Sequence, residues 1–500
     1  VNIARGTSAG LRNRDATEQM RRRDDLWTAI DGLADRLGAY KTAYQFALRM
    51  LLLRAVTDPL DTDNVWAWFC QEVRETLETE APIAGVLEHA LEREMAGSTA
   101  GTVIWEMRDH IQRPSAETQE ALRNLVGVVD AVDGDLRDVF EMALEHYSRT
   151  NGEAGNYFTP RSVVSLAVRL ADPRDGERVF DPACGSGGFL LAAHRHAATS
   201  AHTTLGLSGR ESNRDAWQIG QMNLLAHRLR ADLGEQPVDS LLEPASTGEG
   251  GNHVVLLNPP FNQRGWATDA EIKALPWELG HPPRSNANFA WLQRALALLA
   301  PNGRACVLMP DQSTRDSRTK AREITRRLVG TDAVEALVTL PSGLFPHVRV
   351  PACVWVLNKD KRSETGSGSR DRHDEILLVD ASGMGEQVTR GQWVIPELAI
   401  ERITRVLQSW RSHNWGRERG ELEPSEASTN AWWTTVTTSD VEALEWDLTP
   451  SRYIPGSRPE GVSQPHDPDA EFDGLVRRLA ERMARVHQLE QALLEKLGEW

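Results

Sequence analysis

From about Asn156 onward the chain alternates short apolar runs with helical stretches, and that alternation restricts its fold more than any other feature. The runs are Arg178-Val179-Phe180, His202 to Leu207, Val254 to Leu257, Ala305 to Met309, Val334 to Leu340 and Cys353 to Leu357, with a shorter one at Ile376 to Val379. Strands separated by helices build βαβ units, hence a mainly parallel sheet with helices on both faces. The expected fold class is α/β, a Rossmann-like doubly wound domain whose ligands sit at the carboxyl ends of the strands. Upstream, Asp24 to about Tyr147 follows another rhythm. Leu26-Trp27, Ile30, Leu33, Tyr44, Phe46, Leu48 and Leu51-Leu52-Leu53 recur near a 3.6-residue period, which predicts helices.

These shifts divide the chain into a polar, Arg-rich lead-in (1–23), a helical domain (24–150), the α/β domain (151–400) and a C-terminal extension (401–454). Residues 455–470 carry four of the 25 prolines and read as a linker. Residues 471–500 return to helix, with Leu475, Leu479, Met483, Val486, Leu489, Leu493 and Leu497 on one stripe. Such a stripe needs a cover, either a partner subunit or the chain's own N-terminal helices. Lys361 to Asp374 is Gly/Ser-rich and polar, so a surface insertion is expected there.

With 40 % hydrophobic and 26 % charged residues the composition is that of a soluble globular protein. No apolar run reaches the ~18 residues of a membrane span, and Val1 to Gly10 lacks the apolar core of a secretory signal. Cys70, Cys184, Cys306 and Cys353 stand far apart, in no metal-ligand spacing. The expectation is a cytoplasmic protein without a metal or a membrane. A net charge of −16 argues against a free-standing DNA binder, since phosphate contacts need clustered cations. One local cluster exists: Arg315, Arg318, Lys320, Arg322, Arg326 and Arg327, interleaved with Asp316 and Glu323. It reads either as a basic face or as an ordinary solvated helix.

The most specific motif is Asn258-Pro259-Pro260-Phe261, directly after the strand Val254 to Leu257. At this proline content a given pair of positions is Pro-Pro about once in 400, and flanking Asn and Phe make the coincidence far rarer. A rigid turn would explain the residue types too, but the place, at a strand's carboxyl end, is where function collects. Chemically the tetrapeptide suits a nitrogen whose lone pair is delocalised, such as the amine of adenine. Acceptors on both N–H groups would draw that nitrogen toward tetrahedral geometry; the Asn258 amide oxygen and the Pro259 carbonyl are the candidates. Pro259 and Pro260 restrict the backbone, and a residue before proline is held extended, which aims Asn258 outward. Phe261 is placed to stack on a base turned out of its duplex.

Second comes Asp181-Pro182-Ala183-Cys184-Gly185-Ser186-Gly187-Gly188-Phe189, between a strand and a helix. Gly185, Gly187 and Gly188 let the backbone approach a ligand closely, or simply allow tight packing. No Gly-Lys-Ser/Thr follows, so it is not a phosphate loop. Glu211, past the next strand, stands where an acidic residue holds ribose hydroxyls, and Asp239 near the end of the following unit is a candidate acceptor for an adenine amine. Either could equally be a solvated carboxylate. Finally, Asn156-Tyr157-Phe158-Thr159-Pro160-Arg161 precedes an amphipathic helix, with Thr159 as the expected N-cap, Pro160 in its first turn, and two aromatics placed to wall a pocket.

With these elements in this order the sequence resembles the modification subunit of type I restriction-modification systems, N6-adenine DNA methyltransferases. Tyr157 to Pro160, Asp181 to Phe189, Glu211 and Asn258 to Phe261 carry the likeness. It extends to Asp25-Leu26-Trp27 with Asp31-Gly32-Leu33, Gly303 to Pro310, Leu340 to Phe345 with Cys353 to Lys359, and Trp446-Asp447-Leu448 with Arg452-Tyr453. Two places depart from the pattern: His253 to Leu257 lacks an Asp that relatives often carry, and Asp311-Gln312-Ser313 replaces a Gly and an apolar turn.

The resemblance implies S-adenosyl-L-methionine as cofactor, held by Asn156 to Arg161, Asp181, Ala183, Gly185 to Gly188, Glu211, Asp239 and Asn258. It implies double-stranded DNA as substrate, with a specificity subunit, a second modification subunit and a restriction (translocase/nuclease) subunit as partners. A chain that leaves DNA reading to a specificity subunit should bind DNA poorly alone, which fits its acidity. Asn-Pro-Pro-aromatic also occurs in enzymes methylating a protein glutamine or an RNA guanine amine, and a non-catalytic DNA-binding scaffold with the same fold is the remaining alternative. The helical first part and the long tail favour the restriction subunit, and the intact Asn258 and Glu211 speak against a scaffold.

Overall fold

The structure, a computed structural model, describes residues 24–57, 64–75, 83–94, 115–132, 135–150, 158–198, 204–243, 251–345, 350–362, 368–389, 392–417 and 431–454. The lead-in, Asn156, Tyr157, the linker and the C-terminal helix expected from the sequence lie outside these residues.

Residues 24–37 form α1, followed by α2 (Tyr40–Val56), α3 (Val65–Glu75), α4 (Ile83–Glu94), α5 (Ala116–Ala131) and α6 (Leu136–Thr150). α2 is buried at every residue from Phe46 to Leu53, Arg49 included, so it forms the centre of this helical layer. Ser115 caps α5 by accepting the Thr118 N–H. The layer's core continues into Ile219, Met222 and Ala226 of α9 (Arg214–Ala226). Gln45 donates to Asp215 at 3.3 Å and Lys41 pairs with the same carboxylate.

The remaining strands and α-helices are α7 (Arg161–Ala171), β1 (Arg178–Asp181), α8 (Gly188–Ala197), β2 (Gly206–Gly209), β3 (Asn252–Leu257), α10 (Asp269–Ala274), α11 (Asn288–Ala297), β4 (Leu299–Pro310), α12 (Thr319–Gly330), β5 (Val334–Thr339), β6 (Ala352–Asn358), β7 (Glu375–Asp380), β8 (Glu386–Thr389), β9 (Gln392–Val394), α13 (Glu397–Arg411), β10 (Trp433–Thr437) and α14 (Thr438–Ala443). Eight strands make one sheet in the order β10-β7-β5-β6-β4-β3-β1-β2. β1 to β4 run parallel, β6 enters antiparallel between β4 and β5, and β10 closes the far edge antiparallel to β7.

Alternate residues face opposite layers, as the pleat requires. Val254, Leu256, Cys306, Leu308, Val354 and Val356 face α7, α8 and α13, whereas Val255, Leu257, Val307, Met309, Trp355 and Leu357 face α11 and α12. The sheet is thus covered on both sides, and β5 and β6 are buried along their whole lengths. The chain leaves β1 to one side for β2 and returns to the other side for β3, so a crevice opens between the ends of β1 and β3.

Two expectations need correction. β2 begins at Gly206, in register with Arg178; Thr204 and Leu205 of the expected run lie before the strand, and His202 and Thr203 lie outside the described residues. The region from Lys361 is not simply a surface insertion: Lys361 and Arg372 are buried, Lys361 donating to the Glu375 carbonyl at 2.8 Å and Arg372 lying 3.3 Å from Glu335. Fully buried cations persist only when paired in this way. Of the two readings of the arginine cluster, the ion pairs favour the ordinary solvated helix: Arg315, Arg318, Arg322, Arg326 and Arg327 each meet Asp311, Asp316, Glu445 or Glu323.

Candidate active site at the sheet switch point

The crevice holds a cleft of about 600 Å³, a volume suited to a nucleoside-sized ligand. Its first wall is the loop after β1. Gly185 and Gly187 adopt left-handed φ of 51° and 77°, which the turn into α8 requires. The loop approaches α9 so closely that a Cβ on Gly220 would stand 2.7 Å from the Gly185 carbonyl oxygen. Glu211, 7 % exposed, fastens it: one carboxylate oxygen accepts the Gly185 N–H at 3.0 Å, the other the Asn213 N–H at 2.8 Å. Asp181 accepts the Ala183 N–H at 3.1 Å, and Asp239 the Leu241 N–H at 3.0 Å. Burial pushes all three carboxyls above their ordinary range, Asp181 furthest.

The opposite wall is the tetrapeptide after β3. Asn258 is half-buried, and its Nδ2 donates to Thr159 Oγ1 at 2.8 Å. That contact joins residues 99 positions apart and leaves the amide oxygen without a partner among the described residues. It also corrects the expected role of Thr159: Pro160 stands at the N-cap of α7 and no side chain caps it, so the hydroxyl orients Asn258 instead. Phe261 meets Phe345 edge to face, ring centroids 5.8 Å apart.

Of the candidate residues, Phe158, Thr159, Asp181, Ala183, Gly185, Ser186, Gly188, Glu211, Asp239 and Asn258 to Phe261 all line this one cleft. Three others do not. Arg161 lines the neighbouring cavity and pairs with Glu141 and Glu145. Pro160 serves the start of α7, and Gly187 turns away, a Cβ there lying 3.4 Å from Leu224. Sequence reasoning missed Gln263, Trp291 and Phe345, which also line the cleft. Phe345 lay within Leu340 to Phe345, where the family likeness marked a segment but no role. Gln263 and Trp291 belong to no motif, and each keeps a buried polar atom, Oε1 and Nε1, without a partner among the described residues.

A cleft at the switch point, walled by a glycine turn with buried carboxylates and by a proline-fixed amide, defines the class: an α/β enzyme taking a nucleoside cofactor on one side and a second substrate on the other. The chain belongs to the N-6 DNA methylase family, whose profile matches residues 132–461. It is 30 % identical over 372 residues to the HindI methylase subunit, a type I restriction enzyme component of Haemophilus influenzae, covering 73 % of this chain and 77 % of that one. With the MjaIX methylase subunit of Methanocaldococcus jannaschii it shares 25 % identity over 370 residues, 72 % of this chain and 62 % of the relative. The fold matches the type I methyltransferase subunit of Streptococcus thermophilus with a TM-score of 0.65 at 17 % identity, covering 87 % of this chain and 99 % of the other. The family uses S-adenosyl-L-methionine. No described helix is long and apolar enough to cross a membrane.

Proposed function

We propose that this chain transfers a methyl group from S-adenosyl-L-methionine to adenine N6 in double-stranded DNA, as the modification subunit of a type I restriction-modification complex. The observation that carries the reading is the joint placement of Asn258, tethered through Thr159, and the Glu211-fastened glycine loop on two walls of one cleft.

The residues present fit the cofactor. Glu211, which accepts the Gly185 and Asn213 N–H groups and also hydrogen bonds from Ser212, borders the cleft as an acceptor for a ribose hydroxyl. Asp239 borders the same wall as an acceptor for the cofactor's adenine amine, and Asp181 adds negative charge opposite a cation. When bound, the sulfonium supplies an electrophilic methyl; the protein's task is positioning and charge stabilisation.

On the other wall, the Asn258 Nδ2–H donates to Thr159 Oγ1, which leaves the amide oxygen available to the incoming amine. That oxygen and the Pro259 carbonyl accept the two N–H groups of the incoming amine. As the nitrogen gains the methyl it becomes positive, and both carbonyl dipoles already stand where that charge develops. One N–H proton of that ammonium then passes to solvent water, which restores a neutral amine. Phe261 and Phe345 offer apolar ring surface to a base removed from its stack, compensating part of the unstacking cost of a few kcal/mol.

The partners belonging to this reading are a specificity subunit that reads the DNA, a second copy of this chain, and a restriction subunit. The test is Asn258→Ala in the complex, with tritium transfer from labelled cofactor to genomic DNA lacking N6-methyladenine. Transfer should fall by about two to three orders of magnitude, the usual cost of removing a transition-state partner, with cofactor affinity retained. Undiminished transfer would sink the proposal.

A further inference from the structure

The catalytic tetrapeptide is fixed at its entry by β3 and by the Asn258–Thr159 contact, and prolines 259 and 260 stiffen its middle. Its exit is another matter. The chain leaves at Asn262, an exposed residue with a left-handed φ of 56°. Asparagine is common in that conformation, and so is glycine, so local geometry alone would explain the residue.

The surroundings show more. The Asn262 N–H donates to Asn288 Oδ1 at 3.0 Å, while Asn262 Oδ1 accepts from Asn286 Nδ2 at 2.9 Å and from Asn288 Nδ2 at 3.0 Å. The circle closes where the Asn288 N–H donates to Asn286 Oδ1 at 2.8 Å. One residue on, the Gln263 carbonyl accepts the Ala287 N–H at 3.0 Å. Asn286 and Asn288 are 6 % and 3 % exposed, at the start of α11. Buried amides are tolerable only when satisfied. Here Asn288 turns both ends of its amide onto the single residue that follows Phe261. A linked set of this kind is stiffer than its separate bonds.

We propose that Asn262, Asn286 and Asn288 are positioning residues for methyl transfer: a clasp that anchors the exit of Asn258 to Phe261 onto α11 and so fixes the Pro259 carbonyl and the Phe261 ring over the cleft. The inference rests on the function proposed above. None of the three side chains accepts a proton or reaches the cofactor loop. Their contribution is the orientation of the acceptors, and a reacting group misplaced by ~1 Å costs about a hundredfold in rate.

Two variants at the exposed position separate the clasp from a backbone requirement. Asn262→Gly satisfies the left-handed φ but removes the acceptor. Asn262→Asp keeps an acceptor for both amides and also tolerates that φ. In the assembled complex, with labelled cofactor and genomic DNA lacking N6-methyladenine, N262G should lower kcat by about a hundredfold. Cofactor Kd by calorimetry should stay near the parent's; Tm should fall modestly, because the buried Asn286 and Asn288 amides lose their acceptor, and N262D should recover the larger part of both losses. Should N262G equal or exceed N262D, only the backbone conformation matters and the clasp is wrong. A parallel fall in cofactor affinity would equally reduce it to a folding element. Asn258→Ala, run alongside, tells the two failures apart. If N258A abolishes transfer while N262G does not, the clasp alone fails; if N258A is as active as the parent, the assigned function fails and takes the clasp with it.

Discussion

The two walls of the cleft are built from different chemistry. On the cofactor wall three carboxylates, Asp181, Glu211 and Asp239, each hold a backbone N–H close by in the fold. On the substrate wall the orienting groups are neutral: the hydroxyl of Thr159 and the amides of Asn258, Asn262, Asn286 and Asn288. No ionisable side chain is found among Thr159, Asn258 to Gln263, Trp291 and Phe345 along that wall. The difference matches what each wall meets. A ligand with hydroxyl donors and a permanent positive charge is held by anions. A neutral amine acquires charge only while it reacts, and fixed dipoles serve that moment without attracting the wrong ion beforehand.

The largest expected effect tests whether the walls are separable. Asn258→Ala should cost about two to three orders of magnitude in kcat and leave cofactor Kd unchanged; equal losses in both would mean that one wall props up the other. On the cofactor side the counterpart is Gly220→Ala. A Cβ there would stand 2.7 Å from a backbone oxygen of the glycine loop, which cannot rotate out of the way. Cofactor Kd should rise by about tenfold or more, the equivalent of at least ~1.4 kcal/mol, while kcat at saturation changes little. Calorimetric titration reads the first and steady-state rates the second.

Thr159→Val probes the joint between the walls, since Thr159 lies beside the cofactor loop yet orients Asn258. Losing one neutral hydrogen bond leaves the amide free to turn over, and a net ~1 kcal/mol predicts a five- to tenfold drop in kcat. Thr159→Ser keeps the acceptor and should restore most of it. A rise in cofactor Kd, with kcat intact, would put Thr159 on the other wall.

The walls also differ in how far the sequence reveals them. The glycine turn and the tetrapeptide are contiguous runs, and each of them, like Glu211, directly follows an apolar strand, so their chemistry and their place are readable together. The clasp joins residues 24 and 26 positions apart, and Thr159 meets Asn258 across 99, through neutral side chains with no distinctive spacing. Thr159 was even misleading, because Thr-Pro before an amphipathic helix satisfies the capping rules on its own. The sheet divides likewise. Apolar runs locate strands, but nothing in a run says that β6 pairs antiparallel between β4 and β5, or that Trp433 to Thr437 adds a last strand. Pairing depends on which edge is vacant once the others have formed. Burial of Lys361 and Arg372 escaped for the same reason: their partners Asp332 and Glu335 come from another strand's surroundings.

The smallest expected effect is the pH dependence of cofactor affinity, and its sign follows from the carboxylates. Burial raises the free-protein pKa of Asp181, Glu211 and Asp239 above the usual carboxylate range. A ligand bringing positive charge and hydroxyl donors favours their ionised forms, so the complex has lower pKa values than the free protein. The complex therefore binds fewer protons, and affinity rises with pH until the free carboxylates are fully ionised, then levels off. As pH falls into the raised titration range of these carboxyls, Kd for the cofactor should increase, with protons released on binding and a heat that varies with the buffer's ionisation enthalpy. On the amide wall nothing titrates in that interval. In an Asn258→Ala variant the same curve should therefore appear unaltered. A pH profile that flattens in that variant would show that the neutral wall shares the ionisation, and the contrast between the two walls would have to be abandoned.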